Sequence, residues 1–410
     1  MKTSANFNQS STESTMVTCP ACGLLCDDVV LSSTSPIKVK TSCVKSIDFF
    51  EQTYSRVTPS IAGKATDLET AIKTAAQILD KSNQPLFAGL GTEVQGMRAL
   101  LRLAEKTSAT LDHMYSESTV RNTLALQNSG WQTTTLTEVK NRADVILAIG
   151  TNIVSSHPRF FEKLVWNKDS LFNKSAPNKS EPEVVYLGNA TDTSTLPELM
   201  NALNALANGK KLHTDAVAGV KVESLTAILD KLKAAQYAVV VWSASNLNFA
   251  HAELTIQSIT RLIAKLNETT RVAGLPLNSG DGDTSINNTN TWLSGYATRS
   301  RLANGQAEYD TYRFSTKQQI KQCDALLWVS TFNAYAPPQI DAPTIVIGHP
   351  NTQFAKVPDV FIPVGLPGLD HTGTMFRMDS AVALPLKKVR DNNLATLAQV
   401  MQKLLDALPC

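Results

Sequence analysis

The chain has 410 residues, more than one hydrophobic core ordinarily serves, so two or three domains are expected. Its 43% hydrophobic and 18% charged composition excludes a disordered or fibrous chain, and a net charge of +2 offers no field to gather nucleic acid or an anionic membrane. No apolar run reaches the roughly 20 residues of a membrane span; the best are Tyr237 to Trp242 and Val145 to Ile149. Met1 to Met16 is rich in Ser, Thr and Asn and lacks the apolar centre of a signal peptide. Residues 1–16 therefore read as a disordered tail, and the protein as cytoplasmic.

Residues 17–60 read as a small cysteine domain, in which Val29-Val30-Leu31 and Ile37-Lys38-Val39 bracket a polar turn and predict a hairpin. Thr66 and Glu69 form a capping box, after which Leu68, Ala71, Ile72, Ala75, Ile78 and Leu79 recur at helical spacing. A strand at Leu86 to Ala88, a glycine turn and a helix from Met97 to Lys106 follow. Val145 to Ile149 and Val184 to Leu187 are strands that each end in glycine, with Lys168 to Pro182 between them as a loop or insertion. Ala238 to Trp242 is a further buried strand, leading to a helix from His251 to Leu266 with Leu254, Ile259, Leu262, Ile263 and Leu266 inward. Asn278 to Asn290 reads as a long polar loop, Ala325 to Val329 and Thr344 to Ile347 as strands, and Leu394 to Leu408 as a closing helix.

Short continuous apolar strands alternating with helices predict an α/β fold of several Rossmann-like, parallel-sheet units, with ligands at the carboxyl ends of the strands. The expected divisions are an α/β domain of two units over 61–235, a second over 236–390, and a C-terminal helix over 391–410.

Four of the six cysteines stand together as Cys19, Cys22, Cys26 and Cys43, a C-x2-C-x3-C-x16-C pattern. Structural zinc usually takes two paired knuckles, and the second is missing. Three thiolates close in sequence and a fourth from afar suit a 4Fe–4S cubane, with zinc or unligated thiols as the alternatives. Cys323 and Cys410 have no partner spacing. Gly89-Leu90-Gly91 is not a dinucleotide fingerprint and reads as a strand-to-helix turn, and Gly150-Thr151-Asn152 as a tight turn. His157-Pro158-Arg159 is best read as carrying a hydrogen-bonded structural histidine, and there is no Ser-His-Asp order, H-E-x-x-H or Walker motif.

The cysteine-led N-terminus followed by α/β units resembles the large molybdopterin-dependent oxidoreductases, including formate dehydrogenases. CPACGLLCDDV, LALQNSGWQTTTLTEVKNRADVILAIGTN, SSHPRF and GTMFRMD more closely resemble the B subunit of formylmethanofuran dehydrogenase, in matching order from about residue 17 to 405. The resemblance implies a formate dehydrogenase-like fold without the terminal β-barrel domain, and a second α/β domain that closes a pterin cleft. Gly150, Asn152, His157, His371 and Arg377 would line that cleft.

In the active family a cysteine or selenocysteine just before the LALQ-like segment holds molybdenum or tungsten. Here Arg121 takes that position, followed by Asn122, and arginine has no lone pair for a metal. The departure is similar to a redox-inactive offshoot, the bacterial formyltransferase/hydrolase complex. It implies a scaffold chain without catalytic residues or molybdopterin. Its partners would be homologues of the amidohydrolase-like, formyltransferase and C subunits in tetrahydromethanopterin-linked formaldehyde oxidation. An active molybdopterin or tungstopterin oxidoreductase with a 4Fe–4S cluster is the alternative; an iron–sulfur electron carrier is a third, but no second cysteine set exists.

Overall fold

The computed structural model describes residues 14–32, 36–54, 56–166 and 181–409. Most of the expected Lys168 to Pro182 loop, and the turn of the expected N-terminal hairpin, lie outside them. Strands run in chain order as β1 (Ser14–Val17), β2 (Val29–Ser32), β3 (Ser60–Ile61), β4 (Lys64–Ala65), β5 (Pro85–Gly91) and β6 (Thr110–His113). Next come β7 (Val145–Ile149), β8 (Glu183–Leu187), β9 (Ala216–Val217), β10 (Val220–Lys221), β11 (Ala238–Ser243) and β12 (Val272–Leu277). The last are β13 (Ser300–Ala303), β14 (Gln306–Tyr309), β15 (Ala325–Ser330), β16 (Thr344–Gly348), β17 (Val360–Pro363), β18 (Gly373–Phe376) and β19 (Ala383–Leu386).

Among the described residues these strands build two large sheets. The four-stranded sheet has the order β12-β11-β7-β8 and is parallel throughout. The nine-stranded sheet has the order β14-β13-β6-β5-β15-β16-β17-β3-β4, parallel from β6 to β17 and antiparallel at both ends. Parallel strands joined by helical crossovers are covered on both faces, which is why β7, β11 and β15 are buried along their whole length. Mixed α/β architecture with parallel sheets is thus as expected, and no sheet closes into a barrel among the described residues.

The helices Leu68–Asp80, Val94–Thr107 and Leu397–Ala407 cover one face of the larger sheet. Leu196–Ala207, Val222–Ala234 and Ala252–Leu266 cover one face of the smaller, around the fully buried Trp242. The smaller sheet's other face carries Ile146, Ala148, Val239, Val241 and Leu275, and packs against Cys19, Leu25, Cys26 and Phe160. The cysteine segment is therefore bound into a core shared with a sheet.

Several expectations need correction. Ser14 to Met16, placed in the tail, belong to β1, which pairs antiparallel with β2. Ile37 to Val39 meets β2 through a single bridge, Leu31 to Val39, and not as a full second strand. The division at 235/236 runs through the four-stranded sheet, with β7 and β8 before it and β11 and β12 after. Asp67, not Thr66, caps the Leu68–Asp80 helix, accepting from the Thr70 N–H at 2.8 Å. Leu254 is 57% exposed, because it lies on the outer side of its helix.

The largest miss is the polar loop over Asn278 to Asn290, whose second half is the start of a helix, Asp283–Ser294. Its interior side carries Ser285, Ile286, Thr289 and Asn290, so a pattern scan for apolar residues passes over it. The Asp283 carboxylate accepts the Thr284 and Ser279 N–H groups and ties down the first turn. Gly295, with φ of +85°, ends the helix.

Candidate functional site

The carboxyl ends of both sheets open on the loop that follows β12, Asn278-Ser279-Gly280-Asp281-Gly282-Asp283. A cavity of about 220 Å³ lies on one side, lined by Ser118, Asn122, Asn278, Asp283 and Met378. A second, of about 450 Å³, lies on the other, lined by Lys45, Tyr115, Asp281, Asn333 and His349. Ser279 borders both. A third, of about 740 Å³, sits over the ends of β7 and β8 beside Thr151, Asn152, Tyr186 and Gly188.

A continuous polar line runs between the cysteine segment and this loop. The Lys45 ammonium donates to the Ser156 carbonyl at 2.6 Å, and the Ser156 hydroxyl meets His157 Nδ1 at 2.9 Å. His157 Nε2 lies 2.8 Å from Asn278 Oδ1, and the Asn278 amide donates to Asp283 at 3.0 Å. Burial drives the His157 imidazole down to about 4, against the hydrogen bond with Asn278, so it is neutral at pH 7. Gly23 closes the approach: a Cβ there would collide with the Asn278 side chain. His113 accepts the Tyr115 N–H at Nδ1, so its Nε2 carries the proton and faces the Asp281 carbonyl at 3.2 Å. Burial also pushes the Asp281 carboxyl up to about 6, opposed by the amide that Asn333 donates to it.

Of the sequence-derived cleft residues, only Asn152 borders any of these three cavities. Asn152 caps the short helix Ile153–Ser156 and borders the 740 Å³ cavity, and Gly150 turns beneath it against Leu196 and Thr193. His157 belongs to the polar line above. His371 Nδ1 and Nε2 lie 2.7 and 3.1 Å from the Thr372 and Gly365 carbonyls, while Arg377 pairs with Asp379 at 2.6 Å. Arg121, taken as the former metal-ligand position, borders none of these three cavities. Its guanidinium donates to the Ala244 carbonyl at 2.8 Å, and it is Ser118, Thr119, Asn122 and Thr123 of its helix that line the small cavity. Ser118 meets Ser279 and the Tyr115 carbonyl, not a histidine or carboxylate, so it lacks the base a nucleophile needs. Asp281 and Asp283 were missed; an apolar strand followed by alternating Gly and Asp was the available signal.

Cys19, Cys26 and Cys43 are buried and Cys22 half-buried. Burial pushes the Cys19 thiol up to about 12, and Cys22 and Cys43 add to the rise against a hydrogen bond from Ser46. Cys22 and Cys26 are likewise raised by burial, with Cys43 acting on Cys22, and Cys22 and Cys19 on Cys26. The thiols are thus neighbours. Yet among the described residues no group of three or more His, Cys, Asp or Glu side chains is placed to hold a metal ion. As they stand, the four do not form a ready ligand set.

A cysteine segment docked on one parallel sheet, with cavities at the carboxyl ends of the strands, defines a mixed α/β class of fold whose clefts lie where such sheets bind ligands. No family model matches the chain. It is 30% identical over 330 residues to the B subunit of the formyltransferase/hydrolase complex Fhc of Methylorubrum extorquens, covering 77% of this chain and 87% of that protein. It is 26% identical over 423 residues to the B subunit of the tungsten-containing formylmethanofuran dehydrogenase 2 of Methanococcus maripaludis, covering 95% and 97%. The Methanocaldococcus jannaschii protein of that name is also 26% identical, over 407 residues, covering 92% and 93%. A chain of the crystal structure of FhcABCD from Methylorubrum extorquens in complex with methylofuran superposes with a TM-score of 0.71 at 27% identity. That match covers 85% of this chain and 98% of that one. The chain belongs to the family of B subunits shared by formylmethanofuran dehydrogenases and formyltransferase/hydrolase complexes. No helix among the described residues is long and apolar enough to cross a membrane.

Proposed function

We propose that the chain is the B subunit of a formyltransferase/hydrolase complex and serves it without redox chemistry. Its work is to hold homologues of the amidohydrolase-like, formyltransferase and C subunits in one assembly, in tetrahydromethanopterin- and methanofuran-linked oxidation of formaldehyde to formate. One observation carries the reading. The helix face lining the small cavity offers Ser118, Thr119, Asn122 and Thr123, and no cysteine lies between Cys43 and Cys323 to hold a pterin-bound metal. Hydroxyls and amides are poor ligands for a soft, thiolate-demanding centre. The 30% identity to the Fhc protein and the fit to a chain of FhcABCD support the same reading.

A second reading, an active tungsten- or molybdenum-dependent dehydrogenase, draws support from the longer match to the archaeal enzymes and from all four retained cysteines. Under either reading Cys19, Cys22, Cys26 and Cys43 are the candidate positions for a 4Fe–4S cluster, which requires their side chains to re-orient. The test is elemental analysis of the native complex for Fe, Mo, W and Zn with pterin extraction. The first reading expects neither Mo nor W and no pterin; stoichiometric Mo or W with extractable pterin establishes the second.

A further inference from the structure

The helices Val94–Thr107 and Asp283–Ser294 pack side by side and leave an outer face that no described residue covers. Only a narrow stripe of the first reaches solvent: Gln95, Arg98, Arg102, Glu105 and Lys106. Arg98, Arg102 and Lys106 follow one turn apart, and Arg301 of β13 joins them at the far end, where its Nε donates to the Ser108 carbonyl at 3.2 Å. None of the four has an ion pair with a described residue. Acids are fewer. Glu105 shares the stripe, and Asp406 on the neighbouring helix accepts from Gln402 at 2.8 Å, while Glu308 of β14 is paired with Arg313 and Glu69 with Lys403. Four free cations against two free carboxylates leave positive charge in surplus. The surplus is greatest where the two helices meet, because no acidic residue occurs from Val94 to Ala104 or from Thr284 to Ala307. There the second helix presents Trp292, 64% exposed, and the Arg98 guanidinium lies over its ring at 5.8 Å from the centroid. Leu293 and Tyr296 extend the apolar surface, and Tyr296 stacks on Tyr309.

Packing inside the chain does not need this indole, since the buried side of its helix is formed by Ser285, Ile286, Thr289 and Asn290. Trp, Tyr and Arg are the side chains that dominate binding energy between proteins, and a ring already held by a guanidinium loses little freedom on docking. We propose that this face docks another protein of the complex, whose apolar pocket receives Trp292 and whose rim sets carboxylates against Arg98 and Arg102. Charge argues for that partner over a second copy of this chain: a two-fold pair would set the basic patch against itself, whereas an acidic rim complements it. The proposal rests on the reading above that the chain works inside a multisubunit complex. An exposed indole among cations also suits single-stranded RNA, and the test separates the two.

The chain is co-expressed with the formyltransferase/hydrolase subunits encoded in its own organism, and assembly is measured by native mass spectrometry and by titration of the purified chain into the remaining subunits. Trp292→Ser removes the anchor, and Arg98→Glu combined with Arg102→Glu reverses the basic turn; all three side chains are exposed, so neither variant disturbs the core. Each variant should weaken assembly roughly tenfold or more while the isolated chain keeps its melting temperature. Salt at about 0.5 M should narrow the gap from wild type for the charge reversal alone. A photo-crosslinking residue in place of the exposed Thr291 should capture one of the co-expressed subunits. Wild-type chain that fails to assemble overturns the complex reading and the docking face with it. Wild-type chain that assembles, with both variants matching its affinity, overturns the docking face only. A crosslink to a second copy of this chain, or single-stranded RNA bound by purified wild type and lost from both variants, also overturns it.

Discussion

The two faces of the four-stranded sheet are held by different means. On one side Trp242, Leu199, Leu203, Ile259 and Leu262 make an all-apolar layer under three helices. On the other, the cysteine segment adds its thiols and leucines to the core, but its exit at Asp27-Asp28 is held by charge. Arg159, 9% exposed, donates from both Nη atoms to Asp28 at 2.8 and 2.9 Å and also grips Glu162. Area burial is redundant and loses a little with each atom removed, whereas a single guanidinium that joins two segments is a point of failure.

The contrast yields an ordered set of expectations. Trp242→Ala should cost the most, about 3–5 kcal/mol, through a cavity under the sheet and loss of the Trp131 edge contact. A urea denaturation series gives the value, and a loss under about 1 kcal/mol would mean that the face is less tightly packed than drawn. Arg159→Ala should cost about 2 kcal/mol, since Asp28 keeps Lys163. The loss should be local: amides of Cys19 to Leu31 should exchange faster with deuterium while those of β11 hardly change.

Acid should weaken the cleft in a way that two substitutions can separate. Burial holds His157 and His349 down to about 4, below the 6.5 of a free imidazole, so the unfolded chain binds more protons in that window. Their contribution is complete above pH 6.5 and is lost as pH falls toward 4. Asp281, held up to about 6 from 3.8, has the opposite sign: its contribution is complete below 3.8 and is lost as pH rises through 6. Melting temperature followed from about pH 6 to pH 4 should fall more steeply in Asp281→Asn than in wild type, and less steeply in His157→Asn. Parallel curves for all three would show that neither group feels its burial.

Arg121→Ala should matter least, about 1 kcal/mol or less. It removes one bond to the Ala244 carbonyl and a 3.8 Å pair with the exposed Glu117. Under the proposed function, turnover of the assembled complex should stay near wild type; a hundredfold fall would make this helix part of a working site.

The strands were readable because parallel strands covered on both sides are written as unbroken apolar runs, as in Val145 to Ile149, which has its expected bounds. The helix Asp283–Ser294 was not, because its buried side holds Ser285, Thr289 and Asn290, which are held by polar bonds such as the Phe376 N–H of β18 to the Ser285 hydroxyl and the Asn290 amide to Ser300. The candidate site was legible only in pieces. Cys19, Cys22, Cys26 and Cys43 announce themselves by spacing, whereas the line from Lys45 through His157 and Asn278 to Asp283 joins residues more than a hundred positions apart. Arg121 shows the limit of reading one position on a helix, since the next residue, Asn122, lines the cavity and Arg121 does not.

The order in which the sheets are written along the chain has a consequence for biosynthesis. Every strand of the four-stranded sheet lies between β6 and β13, so that sheet interrupts the larger one. A ribosome finishes the inner unit at Leu277 and reaches Pro363, the end of β17, on the order of ten seconds later. During that interval β5 has β6 on one side and an open edge on the other, where β15 will pair. Nascent chains should therefore aggregate most readily when translation stalls between β12 and β15. A chaperone that shields the waiting edge of β5 would raise yield without touching the stability of the finished protein.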